Sequence, residues 1–298
     1  MYWYSIKFVS FVAVSGFLLL HSYYFKPSLS GDPNLRSRPT FPDLSFSLSR
    51  LGFAGSSTAS SSISSATKCD PPIDIPDEYF MSQFQEDRML MKWFGSICGG
   101  TYLELGAFDG SMYSNSFVFN KAMGWKGVLI EFRNDIFGKL VANRPDEIAS
   151  INAGVCDKPQ TLHAFYSNNV AVGGIYEYVE SSFKETWWPG ISLENDPRVQ
   201  PIECDTLDNL LLMNAPGTIY FDFLSIDVIG AELAALRSID FDRTQFGIVV
   251  VAIGADEMKN LAMRQLMVTK GYSFIADHEN SYYFANLNFN DIYRDLTM

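Results

Sequence analysis

Thr101-Tyr-Leu-Glu-Leu-Gly-Ala-Phe-Asp-Gly110 carries the strongest structural signal in the chain. It opens as a short apolar strand through Tyr102, Leu103 and Leu105, with an acid, Glu104, near its carboxyl end. Gly106 and Gly110 make the turn that follows, and the polar run from Ser111 to Ser116 leads into a helix. In an open α/β sheet, ligands bind at the carboxyl ends of strands where the strand order reverses. Glycine there lets the backbone come close to a ligand, because no Cβ intervenes. The spacing is not the dinucleotide G-x-G-x-x-G, since Phe108 stands where a middle glycine would be, so a pyrophosphate cradle is disfavoured. An acidic turn suits a ligand with a nucleoside and a cationic tail. Taken alone, the stretch fits a plain glycine turn after a buried strand equally well.

A second signal lies downstream. Gly127-Val-Leu-Ile-Glu131 reads as another buried strand ending in an acid. Glu131 follows Gly106 by roughly one βαβ half-unit, the place where nucleotide-binding sheets set a carboxylate on the ribose hydroxyls. The two signals together favour a ligand site.

Around them, strand and helix patterns alternate. Strands are expected at Tyr102–Leu105, Val128–Phe132, Ile148–Val155, Ile219–Val228, Ile248–Ile253, Tyr272–Ala276 and Tyr282–Ala285. Helices fit Tyr79–Phe94, Ser116–Met123, Ile136–Asn143, Thr206–Met213, Ala231–Ser238 and Glu257–Thr269, the last stopped by Gly271. This alternation predicts a mainly parallel sheet with helices on both faces. The last two strands are too close for a crossover helix and should pair as an antiparallel edge hairpin. The run Phe221 to Val228 is the most apolar and should be central, with Asp227 at its carboxyl end. Residues 168–201 interrupt the pattern with an aromatic insertion carrying Tyr176, Tyr178, Phe183, Trp187 and Trp188. Two readings of it are open: rings that stack on an acceptor, or rings that plug the insertion onto the body.

The chain has 298 residues and a formal net charge of −12, which argues against a general nucleic-acid binder, since that needs a basic face. Phe8 to Phe25 is apolar between Lys7 and Lys26. As a helix it would span about 27 Å, close to the hydrocarbon thickness of a bilayer. Residues 1–26 are therefore expected to be a signal anchor with Tyr23, Tyr24 and Phe25 at the interface, a cleaved signal peptide being the alternative. The simpler topology is a single pass with the body in the lumen of the endoplasmic reticulum or Golgi; secretion or organelle targeting are lesser readings. Residues 27–76 are rich in Ser and Pro, too poor in apolar groups to offset their ordering entropy, and read as a flexible stalk before a domain at 77–298.

The four cysteines, Cys69, Cys98, Cys156 and Cys204, lack the paired short spacing of a zinc site. Disulfides and buried thiols are both open, and Cys69 is placed to staple the domain's entry to its body. The three histidines form no H-E-x-x-H, and no G-x-S-x-G elbow exists, so neither a metal site nor a common hydrolase triad is supported.

From about Gln83 to Asn286 the chain resembles the FkbM-type methyltransferases, a branch of the class I S-adenosylmethionine-dependent enzymes. The resemblance is carried by Ser82 to Asp87, Tyr102 to Gly110 with Ser114 and Asn115, Gly124 to Glu131, Asp222 to Glu232, and Gly271-Tyr272. It implies a Rossmann-like, seven-stranded, mainly parallel sheet with an antiparallel edge hairpin. It implies S-adenosylmethionine at Glu104, Gly106, Asp109, Gly110, Asn115, Glu131 and Asp157, with Glu131 on the ribose and Asp157 near the adenine amino group. It places Asp227 and Glu232 on the reaction side, with a sugar or other hydroxylated small molecule as acceptor. Two positions depart from the family. Ile229 stands where Asp-Val-Glu-Gly has its acid, and Ala252 or Ile253 where the fifth strand ends in one. Some relatives of this fold, the Star-type membrane proteins, are associated with trafficking of partner proteins, so a degenerate binding module is the rival expectation.

Overall fold

The computed structural model describes residues 64–297 except 170, 171 and 195. The expected anchor and most of the stalk lie outside the described residues. No helix among those described is long and apolar enough to cross a membrane.

In chain order the elements begin with β1 (Thr67–Lys68), α1 (Glu86–Phe94), β2 (Ile97–Cys98), β3 (Thr101–Leu105), α2 (Phe117–Met123), β4 (Lys126–Ile130) and α3 (Asn134–Asn143). There follow β5 (Ala149–Ile151), β6 (Gly154–Val155), β7 (Gln160–Phe165), β8 (Gly174–Ile175), α4 (Ser181–Trp187), β9 (Val199–Asp205) and α5 (Leu207–Asn214). The chain closes with β10 (Tyr220–Ile226), α6 (Glu232–Arg237), β11 (Gln245–Ala252), α7 (Glu257–Thr269), β12 (Tyr272–His278), β13 (Ser281–Asn286) and α8 (Phe289–Thr297).

Seven strands form the main sheet in the order β12-β13-β11-β10-β3-β4-β5. All neighbours pair in parallel except β13, which runs antiparallel to both β11 and β12. The predicted hairpin and the central place of β10 are both present. The chain starts at β3, runs outward through β4 and β5, then returns to β10 on the other side of β3. The order therefore reverses between β3 and β10, and their carboxyl ends flank the crevice where such sheets bind ligands.

Alternation along the strands builds a core on each face. Leu103, Leu105, Val128, Leu224, Ile226, Val249 and Val251 face α5, α6 and α7. Tyr102, Leu129, Phe223, Ile248, Val250 and Tyr283 face α1, α2 and α8. Every residue of β10 is buried. At its amino end the buried Asp222 accepts hydrogen bonds from Thr101 N and Ser64 Oγ, both 2.6 Å, and from the Tyr293 hydroxyl.

Three boundaries differ from the sequence reading. The body begins before residue 77: Ser64 bonds Asp222, β1 pairs with β2, and a Cys69–Cys98 disulfide staples the entry segment. The helix expected from Tyr79 starts only at Glu86, because Gln85 is left-handed at φ 65° and Ser82 Oγ caps Asp87 N at 2.9 Å. The strand expected at Ile148–Val155 is broken in two. Asn152 leaves the ladder to donate to Glu131 O at 2.8 Å, and β6 joins a separate sheet, β6-β9-β7-β8. That second sheet, fastened by a Cys156–Cys204 disulfide, carries the aromatic insertion, which holds α4 and β8 and is not simply irregular.

Candidate active site

The glycine turn is built by close approach. Gly106 is left-handed at φ 81°, and a Cβ there would sit 2.0 Å from Asp227 O, so only glycine lets the ends of β3 and β10 pass. Phe108 also takes a left-handed conformation, at φ 53°, fixed by its N–H donating to Glu131 Oε2 at 3.0 Å. Asp109 Oδ1 accepts from Ser111 N and Met112 N at 2.9 and 2.8 Å, which turns the chain toward α2. Gly110 is left-handed too, with its carbonyl on Arg144 Nη1 at 3.0 Å.

Glu104 points into this turn. It accepts from Asn115 N at 2.7 Å, Ser114 Oγ at 2.9 Å and Ser116 Oγ. Burial pushes its pKa up, against the nearby Arg144 guanidinium. Asn115 is buried as well, donating to Ser225 Oγ at 2.9 Å and accepting from Ser82 Oγ at 2.6 Å. Glu104 and Asn115 thus tie β3, β10 and the segment before α1 into one unit beneath the turn.

Glu131, 4% exposed just past β4, accepts from Phe108 N at 3.0 Å and Arg133 N at 2.8 Å. A carboxylate offers about four acceptor positions, so about two remain for a diol. Burial pushes its pKa up to about 7, against those two donors.

Asp227 follows the end of β10. Its carboxylate is open to solvent and forms no hydrogen bond among the described residues. Protein mass around it still removes enough water to raise its pKa. Glu232 opens α6 nearby, accepting from Gly230 N at 3.0 Å. Burial is the main cause that takes it up to about 7, with Lys259 opposing and the charge of Asp227 adding. A third acid, Glu86 on α1, is buried and likewise pushed up to about 7, by burial first and by Asp227 second. It lies in the Ser82–Asp87 stretch that the resemblance quotes, although the sequence offers no other sign that Glu86 reaches the sheet.

Asp157 does not directly follow a strand of the main sheet. The third sheet strand ends at Ile151, so Asn152 and Ala153 follow it, and Asp157 comes after β6. There it accepts from the Tyr178 hydroxyl and Gln160 Nε2, both at 3.2 Å. Ile229 packs into the apolar cluster of the insertion, with Phe165, Val179, Trp188 and Val199. Trp188 donates Nε1 to Val172 O at 2.8 Å and stacks on Tyr176. The aromatic rings pack on one another and on Ile229, which answers the plug reading.

A seven-stranded sheet in this order, with its crevice between β3 and β10, is the Rossmann-like fold of class I methyltransferases. Residues 104–274 match the family described as the methyltransferase FkbM domain; the match spans more than half of the chain, which belongs to that family. Its cofactor is S-adenosylmethionine. Among solved structures, Aeropyrum pernix fibrillarin with natively bound S-adenosyl-L-methionine is similar at 12% identity and TM-score 0.37, over 63% of this chain and 67% of its own. Precorrin-6y C5,15-methyltransferase from Geobacter metallireducens is similar at 13% identity and TM-score 0.37, over 72% of this chain and 96% of its own. A methyltransferase from Pyrococcus furiosus is similar at 16% identity and TM-score 0.35, over 72% and 88%. No curated protein matches the chain.

The residues present fit the cofactor. Glu131 keeps acceptor positions for a diol, and Asp227 offers an unpartnered carboxylate to a cation. No group of three or more acids, histidines or cysteines among the described residues is arranged to hold a metal.

Proposed function

We propose that this chain methylates an oxygen of a sugar or other hydroxylated small molecule, as an enzyme tethered by its amino-terminal segment in the secretory lumen. The observation that carries the reading is Asp227, the unpartnered carboxylate at the strand end beside the switch point. Bound S-adenosylmethionine supplies a methyl group on a sulfonium, which an acceptor oxygen takes in line. In this reading Glu131 orients the ribose, while Asp109, Gly110 and the Glu104–Asn115 unit hold the turn in shape. Asp227 faces the methyl side, where it orients the acceptor hydroxyl and takes its proton. Glu232 holds the β10–α6 loop through Gly230 N. Asp157 is exposed and accepts from Tyr178 and Gln160 through Oδ1 alone, so its second oxygen is the candidate partner for the adenine amino group.

The lumenal placement draws support from the cysteines. All four are paired, as disulfides typical of oxidising compartments. Calorimetry on the full chain should show binding of S-adenosylmethionine and of S-adenosylhomocysteine, and turnover on a panel of glycans and hydroxylated metabolites should identify the acceptor. Absence of binding by both would sink the reading, and methylation confined to protein lysines would refute the oxygen acceptor.

The second reading is a binding module without turnover, favoured by the absence of an acid at Ile229. Its weight is reduced by the packing of Ile229, which gives the apolar residue a structural reason to be there. Turnover by the variants Ile229→Glu and Ala252→Glu but not by the native chain would establish the module.

A further inference from the structure

The carboxyl end of the sheet has a gap in its acids. Ile226 pairs with Val251, so Asp227 follows at the level of Ala252, and Ala252 pairs with Ser281 on β13. The strand between Asp227 and Ser281 thus contributes only a methyl group. Ser281, itself buried, donates its hydroxyl to Glu86 Oε1 at 3.2 Å, and Phe84 N donates to Glu86 Oε2 at 3.0 Å. The left-handed Gln85 turns the chain so that α1 opens with Glu86 over this row. Such a conformation in a residue other than glycine costs free energy and persists where its surroundings hold it.

We propose that Glu86 is a further positioning residue of the methyl-transfer site, holding a carboxyl group from α1 against Asp227 at the level where β11 supplies only Ala252. The proposal rests on the reading of Asp227 as the acceptor-side carboxylate. Neutral, Glu86 leaves Asp227 as the charge that meets the acceptor. Ionised, it adds a second charge and draws the sulfonium side of the cofactor more strongly. The charged and titratable groups facing Glu86 are Asp227 at the end of β10 and Tyr283 on β13, which Asp87 also faces. Tyr283 has a buried hydroxyl without a hydrogen-bond partner among the described residues. Glu232 from α6 faces Asp227 from the other flank, with Lys259 of α7 beside it. Lys259 is engaged by Gly230 O at 3.1 Å and Glu180 at 3.4 Å.

Carbon-13 resonances of side-chain-labelled glutamate in the full-length chain test the proposal, with Glu86 assigned by the signal lost in Glu86→Gln. The Glu86 midpoint should lie at about 7. It should fall by about one unit in Asp227→Asn, where the neighbouring charge is gone. It should rise by a few tenths in Ser281→Ala, where a donor to the anion is lost. A midpoint in the ordinary carboxylate range overturns the proposal, as does one unmoved in whichever of the two variants folds. These midpoints establish the contact with Asp227; a merely structural role would leave the cofactor preference measured next unchanged by Glu86→Gln. Calorimetry adds a second readout. The preference for S-adenosylmethionine over S-adenosylhomocysteine should rise about threefold between roughly pH 6 and 8, and by about half as much in Glu86→Gln, where the Glu86 charge no longer develops while Glu131 and Glu232 still titrate. An equal rise in both overturns the proposal. Failure of both probes to bind sinks the methyltransferase reading instead, while the carboxyl titration still decides whether Glu86 lies against Asp227.

Discussion

Glu104 and Glu131 are both acids at strand ends, and their surroundings give them different work. Glu104 spends its oxygens on three donors from Ser114, Asn115 and Ser116, so it shapes the turn. Glu131 spends its oxygens on two backbone donors and keeps acceptor positions unused. Replacing Glu131 by Ala should weaken S-adenosylmethionine binding by about 1–3 kcal/mol, the range for hydrogen bonds to a charged group, as read by calorimetry. Ile229 is the opposite case, a position where an acid is missing because an apolar contact has taken its place. Ile229→Glu should cost about 1 kcal/mol of stability in urea denaturation, since a half-buried apolar contact with the insertion's cluster is replaced by a carboxylate.

At the scale of elements, the turn after β3 tolerates no side chain. Gly106→Ala would put a Cβ on Asp227 O, so the variant should lose cofactor binding altogether, with a lowered melting temperature showing that the strand ends have parted. The small second sheet depends on its crosslink. The Cys156–Cys204 bridge joins residues 48 apart, and removing both cysteines should cost roughly 3–4 kcal/mol by the chain-entropy account, measured as a shift in the urea midpoint. Long periodic elements were legible in the sequence: α7 spans Glu257–Thr269 as expected, and the β12–β13 hairpin follows from the short gap between two apolar runs. The strands β7 and β9 were not, because they pair with each other across the insertion and local pattern does not announce that partner.

For the whole molecule, the acids of the site set a slope of stability against pH. Glu86, Glu131 and Glu232 each move from 4.5 to about 7 on folding. A raised carboxyl pKa means that the folded state holds the proton more tightly than the unfolded chain. Their contribution is full below pH 4.5 and is lost as pH rises to about 7. Asp135 and Asp196, shifted down from 3.8, act below this window. The melting temperature should therefore decline between about pH 5 and 7.5, by an amount on the order of a few kcal/mol in stability, and Glu131→Gln should flatten the slope in scanning calorimetry.

Short-range physics, legible along the chain, set the alternation of strands and helices, the glycine turn, the two acids at strand ends and the edge hairpin. These depend on side-chain periodicity and on φ preferences within a few residues. Only the tertiary structure decided which acids stay free. Ser64 reaches Asp222 across 158 positions, Asn115 reaches Ser225 across 110, and Ser281 reaches Glu86 across 195. A carboxylate's role is set by how many donors it meets and how much water it keeps. Those donors arrive from strands that become neighbours only when the sheet closes, which is why Glu86 surfaced as a member of the site and Glu104 as its support.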